Sequence, residues 1–146
     1  MISAPPSVVR MSVSVASPVA ALIAVYLLLA GHNRPGGGFA AGLLVGAIVV
    51  VRAAAGMKRP TRAAPFLGAG GLIVGLTAVA PLLWGDVLLD QVVVEREVAL
   101  FGTLKTGTAL VFDIGVVAIV IGLVVALLDA FQDQLSPPTE HDRARS

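Results

Sequence analysis

The chain has 146 residues, of which 57% are hydrophobic and only 13% are charged, whereas soluble domains carry about 25% charged residues. Its net charge of +1, without a basic patch, gives no indication of nucleic-acid binding, and the absence of cysteine excludes disulfides and iron–sulfur clusters. His32 and His141 lie too far apart in sequence to suggest a zinc site. We therefore expect no cofactor and no metal, and predict an all-α integral membrane protein.

Four apolar segments are long enough to cross a bilayer as helices, which takes about 20 residues. They cover residues 11–30, 36–51, 66–83 and 106–128, and with short loops they form one predicted membrane domain, residues 1–135. Pro18 should kink the first span, where Ser17 or a neighbouring helix can satisfy the carbonyl that proline leaves free. This span also resembles a signal peptide, but residues 28–30 lack the small-x-small cleavage pattern.

Two further segments are predicted to stay outside the bilayer. Residues 86–105 contain apolar runs broken by charged residues between Asp90 and Glu97, so we expect them to lie at the outer interface or against a partner. Their pattern does not distinguish helix from strand. Residues 136–146, rich in proline and mixed charges, are predicted to form a disordered cytoplasmic tail.

The distribution of lysine and arginine predicts the orientation. With four spans, the N-terminus, the second loop and the tail share one side, which carries seven basic residues: Arg10, Arg52, Lys58, Arg59, Arg62, Arg143 and Arg145. The opposite side carries three: Arg34, Arg96 and Lys105. The positive-inside rule then places both termini in the cytoplasm, and we expect a multi-pass protein of a bacterial inner membrane.

Several of the sixteen glycines fall at helical spacing. These are Gly38, Gly42 and Gly46 in the second span, Gly71 and Gly75 in the third, and Gly115 and Gly122 in the fourth. Small residues at such spacing allow helix backbones to approach closely in lipid. Two interpretations remain open, namely packing within this unit and docking against helices of another protein.

The link between the first two spans has an unusual composition. It consists of Gly31, His32, Asn33, Arg34, Pro35, Gly36, Gly37, Gly38 and Phe39. Pro35 suits a first helical turn, and the glycines permit unusual dihedral angles at a positive helix end. No strand precedes the glycines, so they are not a dinucleotide-binding fingerprint. Taken alone, the link predicts a sharp turn between two packed helices.

Asp113 is the only ionisable residue well inside a predicted span. A carboxylate at the centre of a membrane helix costs about 2.5–3.5 kcal/mol, so Asp113 should face a partner or a wet cavity, or be protonated. Only Thr106 is polar on the same predicted helix face, so the partner must come from another helix. Two hypotheses remain open: Asp113, with Thr106, lines or gates a cation path at a subunit interface, or it makes a buried hydrogen bond. One carboxylate cannot form a proton relay, which argues against an autonomous pump.

Two blocks of sequence resemble the B subunit of the Mrp (Mnh/Pha)-type multisubunit Na+/H+ antiporters. The first comprises Tyr26 to Leu29, the link from Gly31 to Phe39, and the small-residue helix from Ala40 to Gly46. The second is Thr108-Ala109-Leu110-Val111-Phe112-Asp113-Ile114-Gly115-Val116, which is similar to the family pattern Thr-Ala-Leu-Leu-Phe-Asp-x-Gly-Val. The resemblance covers roughly residues 8–128 and is not visible in residues 86–97 or in the tail.

The resemblance implies an accessory membrane subunit of a complex that exchanges Na+ for protons, driven by the proton motive force, and therefore a secondary transporter component rather than an enzyme. The implied partners are the large A and D subunits, which resemble antiporter-like subunits of respiratory complex I, and the small C, E, F and G subunits. Related modules occur in membrane-bound hydrogenases. The alternative is therefore a structural membrane-arm subunit of a hydrogenase or complex-I-like assembly.

Overall fold

A computed structural model describes residues 7–31, 37–84, 93–98 and 102–135. Its four helices coincide with the four apolar segments, which confirms the predicted helical membrane fold. They are α1 (Ser7–Ala30), α2 (Gly38–Ala54), α3 (Ala64–Val79), which a 3-10 helix extends over Ala80–Trp84, and α4 (Thr108–Leu135). The tail predicted at residues 136–146 lies outside the described residues.

Length and composition make three of these helical segments candidate membrane spans: residues 7–30, 64–83 and 108–132. Helix α2, with 17 residues, is at the short end of the roughly 17–25 residues found in membrane helices. Many large apolar side chains point outward from the described helices, among them Leu22 (71% exposed), Leu76 (68%) and Leu83 (79%). Such a surface needs lipid or protein neighbours, because in water it would expose far more contiguous apolar area than a soluble monomer does.

The helices form a row in the order α1, α2, α4, α3, and α2 and α3 scarcely touch. The contacts of α4 show why. Residues 113, 117, 120 and 124 of α4 meet α2, whereas residues 115, 119 and 122 meet α3. At 100° per residue, these two sets lie on opposite faces of α4. Helix α4 is therefore placed between α2 and α3.

Glycine makes both seams of α4 possible. A Cβ atom at Gly42 would lie 2.9 Å from the Cβ of Val120, and one at Gly46 would lie 2.8 Å from a methyl group of Val124. On the other side, a Cβ atom at Gly70 would lie 2.7 Å from the carbonyl oxygen of Gly115. Gly122 packs in the same way against Leu67. Close approach of helix backbones gives the van der Waals contact that holds membrane helices together.

Gly71 and Gly75, the pair singled out in the third span, do not take part in these seams. A Cβ atom built at either position has nothing within 4 Å among the described residues. Gly70, one residue earlier and therefore about 100° around the helix, takes the place against α4. The four-residue spacing identified a face of α3, but that face is turned away from the other described helices.

Local hydrogen bonds explain how α1 and α2 are shaped. Helix α1 continues through Pro18, and the Ser17 hydroxyl donates to the Val13 carbonyl at 2.6 Å rather than to the carbonyl of Ser14, which proline leaves without its donor. At the end of α2, the amides of Gly56 and Met57 donate back to the carbonyls of Ala53 and Arg52. This closing turn requires the positive φ of +64° that Gly56 adopts.

Two paired β-strands precede α4 and settle the open choice between helix and strand for the described parts of this segment, residues 93–98 and 102–105. Strand β1 (Val93–Val98) pairs antiparallel with β2 (Gly102–Gly107), and Glu95 stands opposite Lys105 in the register. The ladder keeps the chain extended as far as Gly107, so α4 begins at Thr108, two residues later than predicted. The prediction that Thr106 shares a helix face with Asp113 is therefore wrong, because Thr106 lies in β2 opposite Val94.

Candidate functional site at the start of helix α2

The two sequence blocks that carry the family resemblance meet in space at Asp113. A Cβ atom at Gly37 would lie 3.5 Å from Oδ2 of Asp113. At Gly38 it would collide with the carbonyl oxygen of Asp113 and lie 2.8 Å from the Asp113 Cα. Only glycine fits at position 38 without moving α2 away from α4. The link and the second block thus form one site.

Helix α1 fixes the position of this corner. The Gly37 amide donates to the Leu27 carbonyl near the end of α1 at 3.0 Å. The Gly37 carbonyl in turn accepts from the Ala41 amide at 3.1 Å, which starts the hydrogen-bond ladder of α2. The φ of Gly37 is +87°, a conformation that strongly favours glycine. The start of α2 is therefore held by the end of α1 and lies against α4.

The electrostatics of the corner suit a carboxylate. The first amides of a helix have no acceptor within the helix, and together they carry about half a positive charge. Asp113 is half-buried and follows Thr108 by five residues, which places it about 8 Å along α4. Within the described ranges, no side chain or amide donates a hydrogen bond to its carboxylate. The start of α2 is the part of another helix that lies beside Asp113.

Thr108 is a polar residue that the sequence did not single out. Its hydroxyl oxygen is buried at the beginning of α4 and has no hydrogen-bond partner in the part of the chain that the structure describes. Buried hydroxyls usually find such a partner. The same end of α4 therefore holds two polar groups, the hydroxyl of Thr108 and the carboxylate of Asp113.

The remaining candidate residues are placed as follows. Gly31 forms the turn at the end of α1, and Phe39 in the first turn of α2 is 62% exposed. His32, Asn33, Pro35 and Gly36 lie outside the described residues. Across residues 7–31, 37–84, 93–98 and 102–135, no group of three or more potential metal-binding side chains comes together.

A second polar cluster holds the opposite end of α4. The guanidinium of Arg59, in the loop between α2 and α3, lies 2.8 Å from Oδ1 of Asp129 and donates to Oε1 of Gln132 at 2.6 Å. Its other terminal nitrogen donates to the Pro60 carbonyl at 2.9 Å. The Arg59 side chain is only 8% exposed. In the sequence, Arg59 was only one of the seven basic residues that predicted the orientation. Nothing in a linear pattern links it to a carboxylate seventy residues later.

The row of apolar helices and its outward apolar surface define a multi-pass helical membrane protein. A family model described as a domain related to the MnhB subunit of Na+/H+ antiporter matches residues 8–126. The chain belongs to this family, as its two sequence blocks indicated.

Individual relatives agree with this assignment. The chain is 36% identical over 110 residues to the B subunit of the Na(+)/H(+) antiporter of Alkalihalophilus pseudofirmus, which covers 71% of this chain and 76% of that one. It is 29% identical over 137 residues to a probable K(+)/H(+) antiporter protein of Rhizobium meliloti whose name joins the A and B subunits, covering 87% of this chain but 13% of the relative. A structure of the Mrp complex from a Dietzia species matches with a TM-score of 0.68 and 27% identity, over 90% of this chain and 14% of the matched chain.

Proposed function

We propose that the chain is an accessory membrane subunit of a multisubunit Na+/H+ antiporter that works across a bacterial cytoplasmic membrane and is driven by the proton motive force. The observation that carries the proposal is the family match over residues 8–126. The single carboxylate at the α2–α4 corner fits an accessory role, because proton transfer across the membrane needs a series of relay groups. Na+ is the ion named for the Alkalihalophilus relative, whereas the Rhizobium relative is named for K+.

The proposed partners are the large complex-I-like A and D subunits and the small C, E, F and G subunits. The Rhizobium relative supports direct contact with the A subunit, because a segment like this chain forms 13% of a protein whose name joins A and B. The outward face of α3, with Gly71, Gly75 and the exposed Leu72 and Leu76, is a surface on which such a partner can pack.

An affinity-purification experiment tests this assignment. A tagged chain purified from its native membrane should bring down large antiporter-like subunits, and its deletion should abolish Na+-dependent proton movement in vesicles. Recovery of hydrogenase subunits in their place would contradict the antiporter assignment and support the membrane-arm alternative.

We propose further that both termini are cytoplasmic. The basic loop between α2 and α3 supports this orientation, with Lys58 and Arg62 exposed there and Arg59 beside them. In a cysteine-free background, a membrane-impermeant thiol reagent applied from outside should label Arg34→Cys or Gln91→Cys and leave Lys58→Cys unlabelled. Outside labelling of Lys58→Cys would reverse the orientation.

Within the complex, we propose that Asp113 lines or gates a cation path at a subunit interface. Its carboxylate is half-buried, lies beside the positive end of α2, and has no ion-pair partner among the described residues. The competing explanation is a purely structural contact between the carboxylate and the helix start.

Asp113→Asn separates these explanations, because it keeps the shape of the side chain and one acceptor oxygen while removing its charge. If the charge acts in transport, vesicles containing the fully assembled variant should lose most of their Na+/H+ exchange, and Asp113→Glu should restore part of it. Blue-native electrophoresis verifies assembly. A wild-type exchange rate for Asp113→Asn at every pH tested would exclude a transport role for the charge.

A further inference from the structure

Helices α1 and α2 separate at one end and leave an apolar groove between them. The groove has a volume of about 300 Å³, which is at the lower limit of the roughly 300–1,000 Å³ typical of small-molecule sites. Its lining includes Ser12, Ala16 and Ala20 on α1 and Leu44, Ile48 and Val51 on α2. Ser17, also in the lining, donates its hydroxyl to its own helix, so it offers little polarity to an occupant.

The groove is confined to one half of the membrane. From Ser12 to Ala20 it extends over eight residues, or about 12 Å, which is close to the roughly 15 Å of one hydrocarbon leaflet. Beyond it the two helices are closely packed: Ala24 is 3% exposed and Ala41 is 2% exposed. A transmembrane helix of another protein would need a surface across the full thickness, whereas an acyl chain needs only one leaflet.

Two arginines, Arg10 and Arg52, lie within about one helical turn of the lining residues at this end of the groove, although neither belongs to the lining itself. Arg10 lies three and seven residues before Val13 and Ser17, and so shares their helix face. Arg52 follows Ile48 by four residues and continues the α2 side of the lining. In contrast to Arg59, neither has a carboxylate partner among residues 7–31, 37–84, 93–98 and 102–135. Both cations are therefore available to an anion at the level of the lipid headgroups.

A second depression lies along α1 next to the groove. It has a volume of about 620 Å³, begins at Val8 and Met11, and shares Ser12, Ala16 and Ala20 with the groove. The small side chains of these three residues leave room on both sides of one helical stripe. A molecule with two apolar chains and one anionic head would match the groove, the depression beside it and the two arginines.

We propose that this groove is a binding site for an anionic glycerophospholipid, with one acyl chain between α1 and α2, the second along α1, and the phosphate at Arg10 and Arg52. Basic sites between membrane helices on the cytoplasmic side bind anionic headgroups in this way. The proposal holds irrespective of which ion the complex carries.

Photo-crosslinking tests the site on the assembled complex in phosphatidylcholine vesicles. The probes are phosphatidylglycerol and phosphatidylcholine carrying the same diazirine acyl chain, and adducts are mapped by peptide mass spectrometry. We expect adducts on α1 and α2 between Ser12 and Val51 that form preferentially with phosphatidylglycerol. The single variants Arg10→Gln and Arg52→Gln should each lower the preference for phosphatidylglycerol over phosphatidylcholine about fivefold. The double lysine variant should keep most of the preference, because it preserves both charges.

Matched variants distinguish a site from general lipid exposure. Lys58→Gln removes an exposed cation at the same end of the molecule and should leave the adducts unchanged. Ala16→Leu fills the groove and should abolish them, whereas Val25→Leu, at a position on α1 outside both depressions, should not. Equal labelling by both lipids would overturn the proposal. So would adducts elsewhere on the complex with none in the groove, since a partner helix would then cover it.

Discussion

Helix α4 carries Asp113 near its start and Asp129 in its last two turns, and these two carboxylates are held in different ways. Asp129 is 34% exposed and faces the full positive charge of Arg59, which also binds Gln132. Asp113 lies against Gly37 and Gly38, where the helix start supplies only about half a charge. The ion pair at Asp129 fixes a loop to the helix. The carboxylate at Asp113 faces no full positive charge among the described residues, so the same residue type is paired at one end and unpaired at the other.

The largest effect should come from adding volume at the Asp113 end. Gly38→Val would force α2 away from the backbone of Asp113 and should destabilise the chain by about 3 kcal/mol, the upper part of the overpacking range. The measurement is the thermal midpoint of a fluorescently tagged chain by size-exclusion chromatography. Gly71→Val is the matched control, because a Cβ atom there has nothing within 4 Å. Equal losses for the two variants would show that helix propensity, not the seam, sets the stability.

A smaller loss is expected when the ion pair at the other end is broken. Arg59→Met leaves Asp129 without its cation and should cost about 1–3 kcal/mol, less than for a fully buried pair because Asp129 is partly exposed. Lys58→Met is the control for removing a neighbouring charge. A double-mutant cycle with Asp129→Asn should give a coupling energy that accounts for most of the loss. A coupling energy near zero would mean that the pair contributes nothing.

The carboxamide variants should separate the two ends by function. Asp129→Asn should lower stability by about 1 kcal/mol and leave the exchange rate per assembled complex unchanged. Asp113→Asn should show the opposite pattern, with stability within about 1 kcal/mol of wild type and reduced exchange. Thermal midpoints and vesicle flux, measured on the same preparations, check both. Reduced flux in both variants with equal stability would remove the distinction between the ends.

The smallest effect on the fold is expected at Gly75 of α3, which contacts neither end of α4. Gly75→Leu places its side chain in open space, so the stability of the isolated chain should change by no more than about 0.5 kcal/mol. Blue-native electrophoresis should nevertheless show less assembled complex if α3 docks against another protein of the complex. Gly42→Leu, which meets Val120, should lower both quantities. An intact complex with Gly75→Leu would assign that face of α3 to lipid.

Hydrophobic length predicted the four helices well, because each apolar segment is bounded by charges, glycine or proline. The end of strand β2 was harder to place. The stretch between Val93 and Gly107 mixes charged and β-branched residues, and pairing between its two strands, rather than periodicity, keeps Thr106 out of α4. Periodicity also identified helix faces that are rich in glycine, but it did not indicate which neighbour each of them contacts. Gly71 and Gly75 were therefore selected, whereas Gly70 forms the contact between α3 and α4.

The contact between the two blocks could not be derived from spacing. Sequence reasoning placed Asp113 on an apolar helix and required a partner from another helix, but helix order in a membrane depends on which faces pack. Gly37 and Gly38 reach Asp113 because α4 lies beside α2 rather than beyond α3. Arg59 and Asp129 depend on the same arrangement. Both polar contacts are consequences of tertiary packing that a single sequence does not reveal.

The position of α4 also bears on how the chain is made. Helices emerge from the ribosome in sequence order, yet α2 and α3 scarcely touch and both pack on α4, which is synthesised after them. Until α4 enters the membrane, Gly42 and Gly46 of α2 and Gly70 of α3 lack the neighbours that they have in the folded chain. Both seams therefore form only once residues beyond Thr108 have been inserted.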